Sequence, residues 1–382
     1  MTVPILDLTR SFNEIKPEVF KALERIFDAQ SFILGPDVKN FEAHCEKYLE
    51  LPEGSAVGCA SGTDSLLLAL MACDIKPGDE IITTPFTFFA TSGTIARLGA
   101  KPVYVDVDPV SYNINLDQAI SKITSKTKAF MPVHLFGQMC ELEKVLHVFH
   151  DKGVKVIEDA AQAFGACRIL GDEDNKQIYR AGTVGDIGCY SFFPTKNLGG
   201  CGDGGMVVTK DLALAERLKK LRVHGSGTTY YHEEVGINSR LDAIQAAILD
   251  IKLSHLTEWT EQRRKVADYY KLLFKAKGLQ EFITIPTETE DNIHIYHQYV
   301  IRVKDKRDEL MAYLNENGFA VRVYYPLSLH LQPCFKYLGY KEGDFPVSEM
   351  LTKEVLALPI FPGLEANEQE ALVEKIAEFF RK

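Results

Sequence analysis

The sequence predicts an α/β fold, with a mostly parallel central sheet sandwiched by helices and a smaller α+β C-terminal domain. Three observations carry this. Between residues 55 and 209, short β-rich runs alternate with helical patterns. Several of those runs are apolar on both faces, as strands covered by helices on either side must be. After Arg240 the pattern changes to one long helical stretch and then to mixed helix and strand. The division this suggests is residues 1–250 for a large domain with an N-terminal arm and 251–382 for a small one. A chain of 382 residues is long enough for both cores.

In chain order the expected strands are SAVGCA, DEIITT, KPVYVDVD, KAFMPVHL, VKVIED, GCYSFF and MVVT. Helical patterns fall between them at 63–73, 87–98, 116–122 and 141–152. The stretch LDAIQAAILDIKLSHLTEWTEQRRKVADYYKLLF reads as a helix leading into the small domain. That domain is expected to hold a strand pair, HIYHQYVIRV with AVRVYY, and helices at 306–317 and 367–380. In a sheet of this type ligands gather at the C-terminal ends of the strands, so chemistry is sought there.

Composition narrows the function. A formal net charge of −10 repels phosphate backbones and anionic membrane, so neither nucleic acid nor membrane is expected as a bulk partner. No apolar run approaches the roughly 20 residues that span a bilayer, and MTVPILDLTRSFNEI lacks the basic start and apolar core of a signal peptide. Eight scattered cysteines without a C-x-x-C pair read as reduced thiols of a cytoplasmic protein. No metal site is expected. The pair His147/His150 falls on a surface helix, and His294/His297 falls in a strand, where i and i+3 face opposite ways.

Two segments carry candidate chemistry. VIEDAAQAFG ends an apolar strand in Glu158-Asp159, which puts a carboxylate at the sheet's C-terminal edge; a helix N-cap is the alternative for Asp159. YSFFPTKNLGGCGDGG runs from a strand through Ser191 to Lys196 and then into a glycine-dense loop. Alone, the lysine would read as a solvated cation and the loop as a hairpin. Here the lysine follows a buried strand, and the glycines let backbone approach a ligand closely. Together the two groups suit pyridoxal 5′-phosphate. That cofactor needs a lysine amine that can be neutral when it acts, and a carboxylate that keeps the ring nitrogen protonated.

The phosphate needs a cradle as well. CASGTDSLLLAL reads as strand, small-residue turn and helix, so Gly62 and Thr63 would present amide N–H groups at a helix N-terminus. Ser191 could add a hydroxyl, and Phe88 in TPFTFFAT is the candidate to lie on the ring face, with core packing as its alternative.

The set SGTDSL, PFTFFAT, EDAAQAFG, SFFPTKNLGGCGDGG and VGINSRLDAIQAAIL, in this order, resembles the DegT/StrS group of PLP-dependent sugar aminotransferases, of PLP fold type I. The resemblance implies that Lys196 carries the cofactor covalently, that Asp159 pairs with its ring nitrogen and that Gln162 bonds its ring hydroxyl. It implies Gly62, Thr63 and Ser191 as phosphate ligands and Phe88 as the stacking ring. It also implies a homodimer with shared active sites, in which Asn238 reaches the neighbour's phosphate and Arg240 meets an anionic substrate. From the residues alone, Asn238 or Ser239 could equally cap the long helix.

The stretch VRVYYPLSLHLQP resembles the family's substrate-lining segment, which makes Tyr325 and His330 substrate candidates. Arg222, His224 and Arg240 are the local cations for a pyrophosphate. SFILGPDV resembles a pocket-edge loop and is equally a plain turn, while His134 could line the pocket or pack beside it. The implied reaction moves an amino group from L-glutamate to a nucleotide-linked keto-sugar, 3-keto in preference to 4-keto, with UDP or dTDP as carrier. An amino-cyclitol acceptor and a non-catalytic sugar-binding relative are the alternatives. A related sugar dehydratase, which has histidine in place of the lysine, is opposed by Lys196.

Overall fold

A computed structural model describes residues 2–172, 175–228 and 230–381. Its centre is a seven-stranded sheet: β1 (Ala56–Cys59), β2 (Glu80–Thr83), β3 (Lys101–Tyr104), β4 (Thr127–Phe130), β5 (Lys155–Asp159), β6 (Ile187–Ser191) and β7 (Gly205–Val208). The spatial order is β1-β7-β6-β5-β4-β2-β3. β3, β2, β4, β5 and β6 pair parallel; β7 runs antiparallel to both β6 and β1. The sheet is therefore mostly parallel, as expected, with one reversed strand that the alternation of helix and strand did not announce.

Period-two side-chain alternation sends each strand into two cores. Ala56, Tyr190, Met206 and Val208 pack with Phe41, Cys45 and Leu249 on one face. Their neighbours Val57, Cys189 and Val207 pack with Leu66, Leu70 and Leu218 on the other. Helices Pro36–Leu49 and Ala243–Ala276 thus cover one side, and Gly62–Ala72 and Leu212–Leu221 the other.

The long helix runs Ala243–Ala276, about 50 Å at 1.5 Å per residue. Leu249, Leu253 and Leu256 belong to the sheet core. Val266, Tyr270 and Phe274 belong to a separate C-terminal core with Ile301, Leu314, Leu356 and Ile376. A second helix, Leu8–Ala29, lies on the long one through Ile15, Val19, Ile248 and Trp259. Among the described residues, no helix is long and apolar enough to cross a membrane.

Three local expectations need correction. Tyr299–Val303 pairs with Ile283–Thr284 and Val355–Leu358, and AVRVYY contributes only an isolated bridge from Arg322 to Ala357. His294 and His297 precede that strand instead of lying in it. The long helix begins behind Asp242 with no side-chain cap, so neither Asn238 nor Ser239 caps it. Ser239 Oγ instead donates to Asp64 (2.8 Å) and accepts from Ala60 N (3.2 Å). The segment SFILGPDV does turn at Gly35, φ 87°, and Pro36 then opens a helix.

Candidate active site

The C-terminal ends of β1, β2, β5 and β6 open into one cleft of ≈700 Å³. Gly62, Thr63, Phe88, Asp159, Gln162, Ser191, Lys196 and Tyr325 all line it. These eight residues span 263 positions, from 62 to 325, and the sheet edge is what gathers them.

Asp159 ends β5, and no helix follows it directly, which removes the N-cap alternative. Its Oδ2 accepts from Thr91 Oγ1 at 2.8 Å and its Oδ1 from Ala161 N at 3.2 Å. Burial pushes this carboxyl above the usual range, against the two hydrogen bonds and the nearby charges of Lys196 and His134. Lys196 lies five residues beyond the end of β6, and its backbone is pinned by Lys196 N donating to Phe193 O at 2.8 Å. Burial lowers its amine to about 8, opposed by Asp159. Burial thus moves both groups toward their neutral forms, the carboxyl upward and the amine downward.

The helix Gly62–Ala72 starts against Ser191: a Cβ at residue 62 would sit 2.4 Å from Ser191 Cβ, so the close approach demands glycine. Ser61 Oγ caps Asp64 N at 3.1 Å. The N–H groups of Gly62 and Thr63 have no protein partner among the described residues and face the cleft end of the helix. Two free amides, a serine hydroxyl and a helix N-terminus fit a phosphate. Opposite, Gln162 accepts from Phe136 N at 2.8 Å and donates from Nε2 to Tyr325 Oη at 2.9 Å. That amide has a second N–H left for an oxygen in the cleft. Phe88 is 56% exposed and lies 6.3 Å from the Tyr325 ring, so it is a wall of the cleft and not core packing.

Other expected residues lie elsewhere. His330 is buried between Ser328 (2.9 Å) and Glu349 (3.1 Å) and does not line the cleft. Arg222 is committed to Glu42 (2.6 Å) and the Gly58 carbonyl (2.8 Å), which takes it away from any pyrophosphate. His224 is exposed beside His232, outside the cleft. Arg240 is also outside, its Nε buried without a partner. Asn238 lines a neighbouring cavity of ≈490 Å³ that shares Thr63, Phe88 and Phe89 with the cleft. His134 turns away from the cleft into a buried bond with Glu158 (2.7 Å), which also accepts from Gly182, Val184 and Gly185 N–H. No group of three or more potential metal ligands occurs among the described residues.

Sequence reasoning missed Thr91 and His297. His297 lines the cleft and is nearly buried. Asn197 Nδ2 donates to Ile295 O (3.1 Å), so its Oδ1 faces His297 Nδ1 (3.1 Å) as an acceptor. Burial, Lys196 and Arg263 keep the ring neutral. HIYHQYV offered no signal for this, because the orientation comes from Asn197, a hundred residues earlier.

The DegT/DnrJ/EryC1/StrS aminotransferase family model matches residues 13–377. The chain is 50% identical to a pleiotropic regulatory protein of Geobacillus stearothermophilus, covering 100% of this chain and 99% of that one. It is 40% identical to UDP-N-acetyl-3-dehydro-α-D-glucosamine 3-aminotransferase of Acidithiobacillus ferrooxidans, over 100% and 97%. The crystal structure of S. venezuelae DesV in complex with a ketimine intermediate superposes with TM-score 0.93 at 36% identity, over 100% and 99%.

Proposed function

Since the chain belongs to the DegT/DnrJ/EryC1/StrS aminotransferase family, we propose that it moves the amino group of L-glutamate onto a 3-keto sugar carried by UDP or dTDP. The observation that carries this reading is the convergence of Asp159, Lys196 and the Gly62–Ser191 cradle on one cleft. The cofactor of this chemistry is pyridoxal 5′-phosphate, which when bound supplies an electron sink beside the donor's Cα.

The chain's own residues divide the remaining work. Gly62 and Thr63 N–H with the Ser191 hydroxyl would hold the phosphate, and the spare N–H of Gln162 the ring oxygen. Phe88 would cover one ring face, and Asp159 would hold a proton on the ring nitrogen. Lys196 is the covalent anchor; once free, its amine takes the proton from the donor's Cα and later delivers one to C3 of the sugar. Tyr325, tied to Gln162, forms the sugar-side wall.

Lys196 is the only lysine or arginine lining the cleft among the described residues. Glutamate brings two carboxylates and the acceptor a diphosphate, more negative charge than one amine can meet. This supports a homodimer with shared sites: Asn238 of the partner subunit completes the phosphate cradle, and Arg240 of the partner subunit meets the anionic substrate. All eight cysteines are free thiols, which suits a cytoplasmic enzyme. Asn238→Ala is expected to weaken cofactor retention about tenfold, the worth of one charge-assisted hydrogen bond. The check is cofactor titration of a variant confirmed as a dimer, and unchanged affinity removes Asn238 from the site.

A 4-keto sugar or an amino-cyclitol would change only the acceptor. The 50% identity to a protein named as a regulator is what favours a non-catalytic reading. The deciding experiment gives the purified protein glutamate and a panel of UDP- and dTDP-linked 3-keto and 4-keto sugars, with mass detection of the amino product. Amination of a 3-keto sugar is expected. A colourless protein that takes up no cofactor and aminates nothing sinks the enzyme reading.

A further inference from the structure

Thr91 is the buried hydroxyl behind Asp159. It sits in the first turn of the helix Phe89–Arg97, fully buried. A helical threonine ordinarily bonds back to a carbonyl of its own helix. Thr94 in this helix does so, donating to Ala90 O at 2.9 Å. Thr91, in the first turn with no residue of its own helix four positions back, donates instead to Asp159 Oδ2 at 2.8 Å, across 68 positions of sequence.

The direction of this bond is fixed by chemistry. An ionised carboxylate only accepts, so the single hydroxyl proton of Thr91 is spent on Asp159. The contact between Thr87 Oγ1 and Thr91 Oγ1, 3.2 Å, must then be donated by Thr87. Thr87 itself lines the cleft. A directed pair of hydroxyls therefore runs from the cleft wall to the carboxylate, and an ionised Asp159 fixes its polarity.

Resting on the cofactor assignment above, we infer that Thr91 is a positioning residue that keeps Asp159 ionised and aimed at the ring nitrogen. It is needed because Asp159 is nearly fully buried. Its only other hydrogen-bond donor in the described residues is Ala161 N–H at 3.2 Å. The charged or titratable groups around it are Lys196, His134, the Tyr325 hydroxyl and the Cys189 thiol, and burial keeps the last two protonated. His134 makes its hydrogen bonds to Glu158 and to Cys140 N. A buried carboxylate left with one long hydrogen bond moves toward its protonated form, which cannot hold a protonated pyridine.

The test compares two cofactors on the cofactor-free enzyme: pyridoxal 5′-phosphate and its 1-deaza analogue, which has carbon in place of the ring nitrogen. Both use the phosphate cradle and Lys196, and only the first uses Asp159. Thr91→Val is expected to cost about tenfold or more in affinity for the natural cofactor and nothing for the analogue. Removing the donor raises the carboxyl pKa, so the natural cofactor is lost at higher pH in the variant as pH falls, while Thr91→Ser keeps the wild-type profile. Equal loss of both ligands means Thr91 only packs, and no loss of either means Asp159 does not depend on it; both overturn the inference. If the valine variant does not fold, Thr91→Cys against Thr91→Ser carries the test. The weak thiol donor must reduce selectivity for the natural cofactor, and unchanged selectivity rejects the role. Failure of wild-type protein to prefer the natural cofactor at all would instead count against the site assignment itself.

Discussion

Replacing Lys196 with alanine is expected to abolish the half-reaction with glutamate, a loss of at least about 10⁴ in rate, while the cofactor still binds non-covalently. A positioned general base contributes on the order of 10² to 10⁴, and the covalent anchor that starts the reaction disappears with it. The proposed phosphate cradle of Gly62, Thr63 and Ser191 is left intact, so cofactor uptake should survive; borohydride should fix the cofactor to the wild-type chain and not to the variant. The pH dependence gives a second readout. The free amine titrates at about 8, lowered by burial against the charge of Asp159. Only the neutral amine attacks the cofactor or accepts a proton, so wild-type cofactor attachment quickens as pH rises through about 8 and levels above it. The alanine variant should lack that limb. Single-turnover absorbance measurements would expose either substantial residual turnover or a surviving limb, and each contradicts the role of Lys196.

What the sequence made legible was chemistry attached to strand ends. Asp159 follows an apolar strand and Lys196 follows its neighbour in the sheet, so the two could be placed on one edge before any coordinates. Small-residue turns before helices are common, so Gly62 became legible only through the resemblance of SGTDSL, and the added-Cβ distance to Ser191 gives the physical reason for glycine. Residues whose meaning depends on a distant partner were not legible. Arg222 looks like a free cation until Glu42, 180 positions earlier, claims it. His330 looks like a pocket residue until Ser328 and Glu349 bury it. The small sheet failed for a similar reason. Alternation marks 299–303 as a strand, but it does not say whether 320–325 or 355–358 lies alongside. Thr91 was hidden because a threonine in a helix carries no mark of which way its hydroxyl turns.

Asp159→Asn is the second change expected to be drastic, and it separates charge from shape. The amide has nearly the carboxylate's volume and can still bond Thr91, so packing around β5 should hold. The formal charge proposed to face the ring nitrogen is lost. At about 4 Å and an effective dielectric near 20, one such charge pair is worth about 4 kcal/mol, a loss in turnover on the order of 10³. In the free protein burial pushes the Asp159 carboxyl upward; a protonated ring placed against it would favour the ionised form and lock the pair. The chemistry can therefore be restored without the residue. A cofactor methylated on its ring nitrogen is permanently cationic and should recover part of the variant's activity while doing nothing for Lys196→Ala. A loss of only a few-fold, or no recovery with the methylated cofactor, would show that Asp159 does not set the charge of the ring.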